Sequence, residues 1–167
     1  MVGRLGPGDN IGTVFDLTKD LSKKPVPKEF ELKDDGPRWW FSTWSPDDRR
    51  LMVTQGRGSN HKLSLMDPYS GKIIQPKSGA LPSGGVSHPA WAPDDSLIAY
   101  VTNFQRWGGE LDEGDIATLP VTGDDSFGQP TTILEGDKVP NAHPGGDTAN
   151  YPTWTPDSAR IAFAHGT

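Results

Sequence analysis

The chain has 167 residues, of which 33% are hydrophobic and 23% are charged, and it carries a formal net charge of −6. This length predicts a single domain with a packed core, and the acidic balance argues against nucleic acid or an anionic membrane as the main partner. Cysteine is absent, which excludes a disulfide framework, a thiolate metal site and a cysteine nucleophile.

The first residues of the chain, "MVGRLGPGDNIG", lack the apolar stretch of a signal peptide. We therefore predict that residues 1–11 form an N-terminal extension without a targeting signal. No run in the sequence approaches the roughly 18 apolar residues that a membrane helix needs, so membrane insertion is not expected.

Three pairs of short apolar segments predict pairs of β-strands, which we name C and D. They are "TVFDLT" (13–18) with "EFEL" (29–32), "KLSLMD" (62–67) with "KIIQ" (72–75), and "DIATLP" (115–120) with "TTIL" (131–134). The second pair is linked by the turn sequence "PYSG", which is typical of strand, turn and strand.

A repeated segment of thirteen residues predicts a second set of paired strands, A and B. It occurs as "FSTWSPDDRRLMV" (41–53), "HPAWAPDDSLIAY" (88–100) and "YPTWTPDSARIAF" (151–163). In each copy a tryptophan is followed by Pro-Asp and then by an apolar triplet. Proline presets the backbone for a tight turn and aspartate can bond the backbone just ahead, so each copy predicts a β-hairpin. The residues that build the hairpins are Trp44, Pro46, Asp47, Trp91, Pro93, Asp94, Trp154, Pro156 and Asp157, to which we assign structural roles.

Strands A to D together predict an all-β chain made of propeller blades with four antiparallel strands each. The chain then contains a C–D half blade at 12–34, whole blades at 38–76 and 85–135, and an A–B half blade at 149–167. This is about three blade equivalents, with 12–167 forming a partial propeller. Such a chain is either a fragment of a propeller of about six blades, or one of two copies whose half blades complete each other in a homodimer.

The Trp-x-Pro-Asp turn followed by an apolar strand resembles the TolB-like β-propeller repeats, which are distant relatives of WD repeats. The resemblance implies a six-bladed propeller in the periplasm or cell envelope, which binds protein partners or is the non-catalytic domain of a larger protein. The sequence departs from the TolB-like pattern in two ways. The glycine usual after Pro-Asp is replaced by Asp48, Asp95 and Ser158, and Ser42 stands where the other copies have Pro89 and Pro152.

Two long connections of the second whole blade, 103–114 between strands B and C and 135–150 after strand D, are expected on the same rim. Binding residues favour loops on a rigid scaffold, so this rim is the predicted binding face. Its candidate binding residues are Arg106, Trp107, His143 and Asp147. The alternative is an ordinary loop insertion, with Trp107 folded back over the blade edge.

Residue patterns for catalysis or metal binding are weak. Four acidic residues near 110–115 could hold Ca²⁺ but lack the EF-hand pattern, so a solvated charge cluster is favoured. The histidines, His61, His88, His143 and His165, have no metal-ligand spacing. His88, which precedes Pro89 at the start of an A strand, is expected either to face the central channel or to have a hydrogen-bonded structural role. No metal, cofactor or catalytic residue is predicted.

Three functions fit the sequence. The first is a non-enzymatic scaffold that presents a rim or channel to a protein or a small ligand. The second is the gating propeller of a prolyl-oligopeptidase-like peptidase, whose chemistry would need a separate hydrolase domain. The third is a propeller lyase or hydrolase with its site in the central channel. We favour the scaffold and expect no enzymatic activity from this chain.

Overall fold

The computed structural model describes residues 2–5, 10–14, 28–31, 39–56, 60–107, 110–139 and 148–166, and this part is almost entirely β-structure. Its strands are β1 (Val2–Leu5), β2 (Asn10–Val14), β3 (Lys28–Glu31), β4 (Trp39–Trp44), β5 (Leu51–Gln55), β6 (Lys62–Met66), β7 (Ile73–Ile74), β8 (Ser87–Trp91), β9 (Leu97–Trp107), β10 (Glu110–Gly123), β11 (Ser126–Phe127), β12 (Thr131–Leu134), β13 (Thr148–Trp154) and β14 (Ile161–Gly166). A 3-10 helix spans Gly136–Lys138. The predicted all-β class is confirmed.

The first whole blade is the antiparallel meander β4-β5-β6-β7, in the places predicted for strands A to D. Leu51, the first residue of β5, pairs with Trp44 on one side and with Met66 on the other. The apolar triplet that begins at Leu51 is fully buried, because its strand is central in the sheet. We call this sheet blade 1.

The second whole blade, blade 2, is formed by β8, β9, β10 and β12, again in the predicted places. Ile98 of β9 pairs with Trp91 of β8 and with Leu119 of β10, while Thr118 of β10 pairs with Thr131 of β12. The short strand β11 makes an additional hairpin with the end of β10.

The segment 103–114 was expected to be a loop, but it is a hairpin. Strands β9 and β10 continue past the blade until Trp107 pairs with Glu110. The sequence has Gly-Gly at 108–109, a pair typical of a two-residue hairpin connection, so the hairpin had a visible sequence signal. We name this projecting segment, 103–114, the β9–β10 arm.

The ends of the chain form smaller sheets. Strands β13 and β14 form the predicted A–B hairpin, and one parallel pair, Gly114 with Thr148, joins β13 to blade 2. At the other end β2 pairs with β3, close to the segments 13–18 and 29–32 predicted for strands C and D, although 15–18 and 32 lie outside the described residues. In addition, β1 pairs with β2, so 1–11, predicted as an extension, contributes strands to this sheet.

The three A–B turns have the same hydrogen bonds. In the first, Asp48 N donates to Ser45 O at 3.0 Å and Ser45 N donates to Arg50 O at 2.9 Å, and the other two turns repeat both bonds. The residue after Pro-Asp is left-handed in all three copies, with φ of 60° at Asp48, 64° at Asp95 and 57° at Ser158. Glycine is favoured in this conformation, which explains why it is usual at this position in the repeats that the sequence resembles.

The main hydrophobic core lies between the two whole blades. It contains Met52, Leu63, Leu65, Val86, Ile98, Tyr100, Ala117, Leu119 and Phe127. The A strands of successive repeats lie side by side, with β4 in contact with β8 and β8 in contact with β13. The innermost strand of each repeat therefore lies next to that of the following repeat, as in a propeller.

Candidate binding face

The predicted binding residues lie on the β9–β10 arm or outside the described part of the chain. The arm carries Arg106, which pairs through its backbone with Leu111, and Trp107. His143 and Asp147 lie outside the described residues. The structure therefore places the first two on one projecting hairpin and leaves the contribution of the other two untested.

The base of the arm is fixed to the connection that follows β12. The Asp115 carboxylate accepts hydrogen bonds from the Asn103 side chain and, at 2.9 Å, from the Gly136 backbone N–H. The register of β9 and β10 shifts twice in this region, so the arm leaves the blade through bulges, which bend strands. The arm and the connection after β12 therefore meet on one rim, as the sequence predicted.

A bulge recurs near the start of each A strand. Between Ser87 and Ala90 strand β8 has one residue more than the β9 segment that it pairs with, and β4 and β13 show the same excess at matching places. Pro89 and Pro152 lie in two of these bulges, which are among the few places in a sheet that tolerate proline. A proline inside an A strand is thus a sequence signal for the bulge, which was not predicted.

The bulges bring together three aromatic side chains from the same position of the three repeats. Phe41, His88 and Tyr151 each stand three residues before the repeat tryptophan. The His88 ring stacks on Phe41 with centroids 3.6 Å apart, and it meets Tyr151 edge to face at 4.5 Å. Phe41 and Tyr151 are 6.3 Å apart with an interplanar angle of 85°. We name these three residues the axial aromatic cluster, because they lie on the innermost strands.

The cluster combines a buried ring with two exposed ones. His88 is 5% exposed, whereas Phe41 is 38% and Tyr151 is 56% exposed. His88 and Tyr151 have φ of 50° and 52°, a conformation that is rare for bulky residues. His88 lies on an innermost strand, and the choice between a channel-facing and a hydrogen-bonded structural role stays a prediction. The pairing of its ring with exposed aromatic rings was not foreseen.

Burial keeps His88 neutral. Its pKa is lowered to about 4, first by loss of solvation and second by the nearby His61. At neutral pH the cluster is therefore a set of uncharged rings. The buried imidazole is also unsuited to act as a proton-transfer group near pH 7, because its protonated form is then scarcely populated.

The opposite rim is held by ion pairs between the blades. Arg50, in the first A–B turn, makes two bonds to the Asp125 carboxylate of blade 2, at 2.6 and 3.0 Å. Hydrogen bonding from Arg50 is the main cause that lowers the pKa of the Asp125 carboxyl. Asp47 has a pKa lowered to about 2, chiefly by the hydrogen bond from the Ser45 hydroxyl. The charged groups on this rim therefore pair with one another or hydrogen-bond within the turns.

The repeat residues make contacts within and between repeats. Each Pro-Asp aspartate accepts a hydrogen bond from the backbone N–H two residues on; the acceptors are Asp47, Asp94 and Asp157. The Trp154 indole donates to Ala90 O at 2.9 Å in the neighbouring repeat, and the Trp91 indole donates to Asp95 at 2.7 Å. Trp44 packs against the cluster of buried residues around Leu51.

Among the described residues, no group of histidine, aspartate and glutamate side chains could hold a metal ion. His165 lies on β14, away in sequence and strand from His61 and His88. In the same part of the chain, no helix is long and apolar enough to cross a membrane.

Side-by-side antiparallel blades, joined along their inner strands, define this chain as a propeller-like all-β protein. No protein-family model and no curated protein sequence matches it. Among solved structures, TolB from Acinetobacter baumannii is similar, with a TM-score of 0.44 and 13% sequence identity, over 93% of this chain and 47% of that one. The chain thus spans less than half the length of that structure.

Proposed function

We propose that this chain is a non-catalytic propeller scaffold that binds a protein partner or a ligand on the rim bearing the β9–β10 arm. The observation that carries the proposal is the axial aromatic cluster, in which one position of three repeats supplies rings on the inner strands. Exposed aromatic rings are unfavourable in water and are typical of binding surfaces.

The arrangement of the rim supports binding by a rigid surface. Phe41 and His88 stand on strands that pair with the core strands β5 and β9, and the arm is anchored through Asp115. Little ordering of the protein is then needed on binding, which favours affinity. The resemblance of the repeats to TolB-like propellers supports the periplasm or cell envelope as the place where this scaffold acts.

We also propose that a further strand covers β14. The last residues of the apolar triplets, Val53 and Tyr100, are 0% and 3% exposed, whereas the matching Phe163 is 37% exposed. The first two lie on strands that pair on both edges, but β14 pairs only with β13 in the described part of the chain. The covering strand comes from a second copy or from the remainder of a longer chain. A monomeric mass at micromolar concentration in light scattering would exclude the second copy.

Selection from a displayed peptide library, with the purified chain as target, tests the proposed binding face. Variants Trp107→Ser and Phe41→Ser change the proposed rim, and Tyr69→Ser changes an exposed ring in the β6–β7 turn at the opposite rim. We expect selected peptides to lose affinity for the first two variants and to retain it for the third. Peptides that bind independently of Trp107 and Phe41, or no selected peptide at all, would contradict the proposal.

A further inference from the structure

Resting on the proposed function, we propose that the axial aromatic cluster receives a cationic side chain, the ammonium of lysine or the guanidinium of arginine, from a basic protein partner. Phe41 and Tyr151 lie nearly perpendicular to each other, with the buried His88 ring in contact with both. The rings of Phe41 and Tyr151 thus form a corner, and both of these rings are exposed to solvent.

The electronic character of the rings favours a cation. The faces of aromatic rings carry negative charge density, so an ammonium or guanidinium group within about 6 Å of a ring centroid is attracted. The centroids of Phe41 and Tyr151 are 6.3 Å apart and both rings are exposed, so a cation on their solvent side lies within about 6 Å of both, while His88 covers the other face of Phe41. An apolar side chain would gain only the burial of surface at the same place.

The charge of the surrounding connections favours the same ligand. Among the described residues, β9 and β10 carry four acidic residues and one arginine between 103 and 115, and 135–139 contain two acidic residues and one lysine. The acidic members are Glu110, Asp112, Glu113, Asp115, Glu135 and Asp137. With a net charge of −6 on the whole chain, approach of a basic partner to this rim is favoured and approach of an anionic one is opposed.

The protonation state of His88 is compatible with a cationic ligand. Burial lowers its pKa to about 4, so the ring in the centre of the cluster carries no positive charge at neutral pH. The second nearby titratable group, His61, is buried as well. A protonated imidazole at this position would repel the ligand, so the neutral state of His88 favours binding of a cation at neutral pH.

The backbone of Tyr151 supports a role for this ring in binding. Its φ of 52° is costly for a bulky residue, yet the side chain is 56% exposed and so recovers little of that cost by burial. Strained residues of this kind cluster at functional sites. Tyr151 is therefore the residue whose change most directly tests the proposal.

The experiment compares two synthetic hexapeptides that are identical except that three lysines in one are acetyl-lysines in the other. Binding to the full chain is followed by two-dimensional NMR titration at low and at high salt. We expect the lysine peptide to bind at least about tenfold more tightly than its acetylated counterpart, and to weaken with salt.

Substitutions in the axial aromatic cluster test whether the lysine peptide binds there. Tyr151→Leu should weaken binding of the lysine peptide about 2- to 30-fold, the range of a cation–aromatic contact, whereas Tyr151→Phe should retain most of it. Tyr69→Leu, at the opposite rim and 50% exposed, is the matched control and should have no effect. Circular dichroism checks that each variant is folded, and Phe41→Leu replaces Tyr151→Leu if the latter is not.

The outcomes separate this inference from the proposed function. Equal, Tyr151-dependent binding of both peptides would overturn the preference for a cation and leave the binding face intact. Lysine-peptide binding that is indifferent to Tyr151 and Phe41 would show general charge attraction and overturn the assignment to the cluster. If neither peptide binds, the inference fails, while the library selection with Trp107→Ser independently decides the proposed function.

Discussion

Tyr100 and Phe163 occupy the same position of the repeated hairpin in different surroundings, and their replacement by alanine tests how the repeats pack. Tyr100 is 3% exposed and belongs to the core between the two whole blades. Removing a buried aromatic side chain costs about 3–5 kcal/mol, because burial is lost and a cavity remains. In the monomer, where β14 pairs only with β13 in the described part of the chain, Phe163 is 37% exposed and water fills the space that it leaves. We expect Phe163→Ala to cost about 1–2 kcal/mol in the monomer, and more where a second copy covers β14.

Urea unfolding followed by tryptophan fluorescence measures both losses. With a slope of about 2 kcal/mol per molar urea, the midpoint should fall by about 1.5–2.5 M for Tyr100→Ala and by about 0.5–1 M for Phe163→Ala. Tyr100→Phe, which retains the ring, is the control and should stay within about 1 kcal/mol of the unchanged chain. A cost below about 1 kcal/mol for Tyr100→Ala would refute the packing between blades. A cost for Phe163→Ala equal to that of Tyr100→Ala would show that another strand covers β14.

Three further predictions concern a turn, the buried histidine and the contact between blades. Asp48→Gly should stabilise the chain by about 0.5–1 kcal/mol in thermal or urea unfolding, since φ is 60° there, and a loss of stability would contradict the role of the left-handed turn. The folded-state pKa of His88, about 4, lies below its ordinary value of 6.5, so the unfolded chain takes up the proton first as the pH falls. The free energy of unfolding should therefore be unaffected by this group above about pH 6.5, and should fall by up to about 3 kcal/mol as the pH drops to about 4. His88→Gln should flatten this part of the pH profile, and an unchanged profile would assign the loss to other groups. Arg50→Ala should cost about 1–3 kcal/mol, because it leaves the buried Asp125 carboxylate without the partner that donates two hydrogen bonds to it. Arg49→Ala, at an exposed position, should leave the unfolding midpoint nearly unchanged. Equal effects of the two arginine changes would show that the pair at Asp125 does not hold the blades together.

The β9–β10 arm shows where sequence patterns fail locally. Its charges and irregular apolar spacing are typical of a loop, and we predicted one, although the Gly-Gly pair at 108–109 is also typical of a hairpin connection. In the structure Arg106 and Leu111 are paired residues of a hairpin that prolongs two blade strands. Strands that are already paired at their base are held side by side, so further pairs form at little cost even across two bulges, and this outweighs weak strand propensity.

The sequence by itself determined the repeat, its four strands and the positions of the A–B turns. Proline, aspartate and the following apolar triplet act through local backbone geometry and alternation, which a single sequence displays. The rim of the long connections was also predicted, because the ends of a meander are fixed by the strand order.

Only the tertiary structure decided which side chains meet at that rim. Phe41, His88 and Tyr151 are 47 and 63 residues apart in sequence, and their contact depends on three bulges and on the adjacent packing of the inner strands. A bulge turns a side chain out of the regular alternation, so a period of two cannot show where that side chain points. The pKa of His88 likewise depends on burial by neighbouring repeats, which local sequence does not contain.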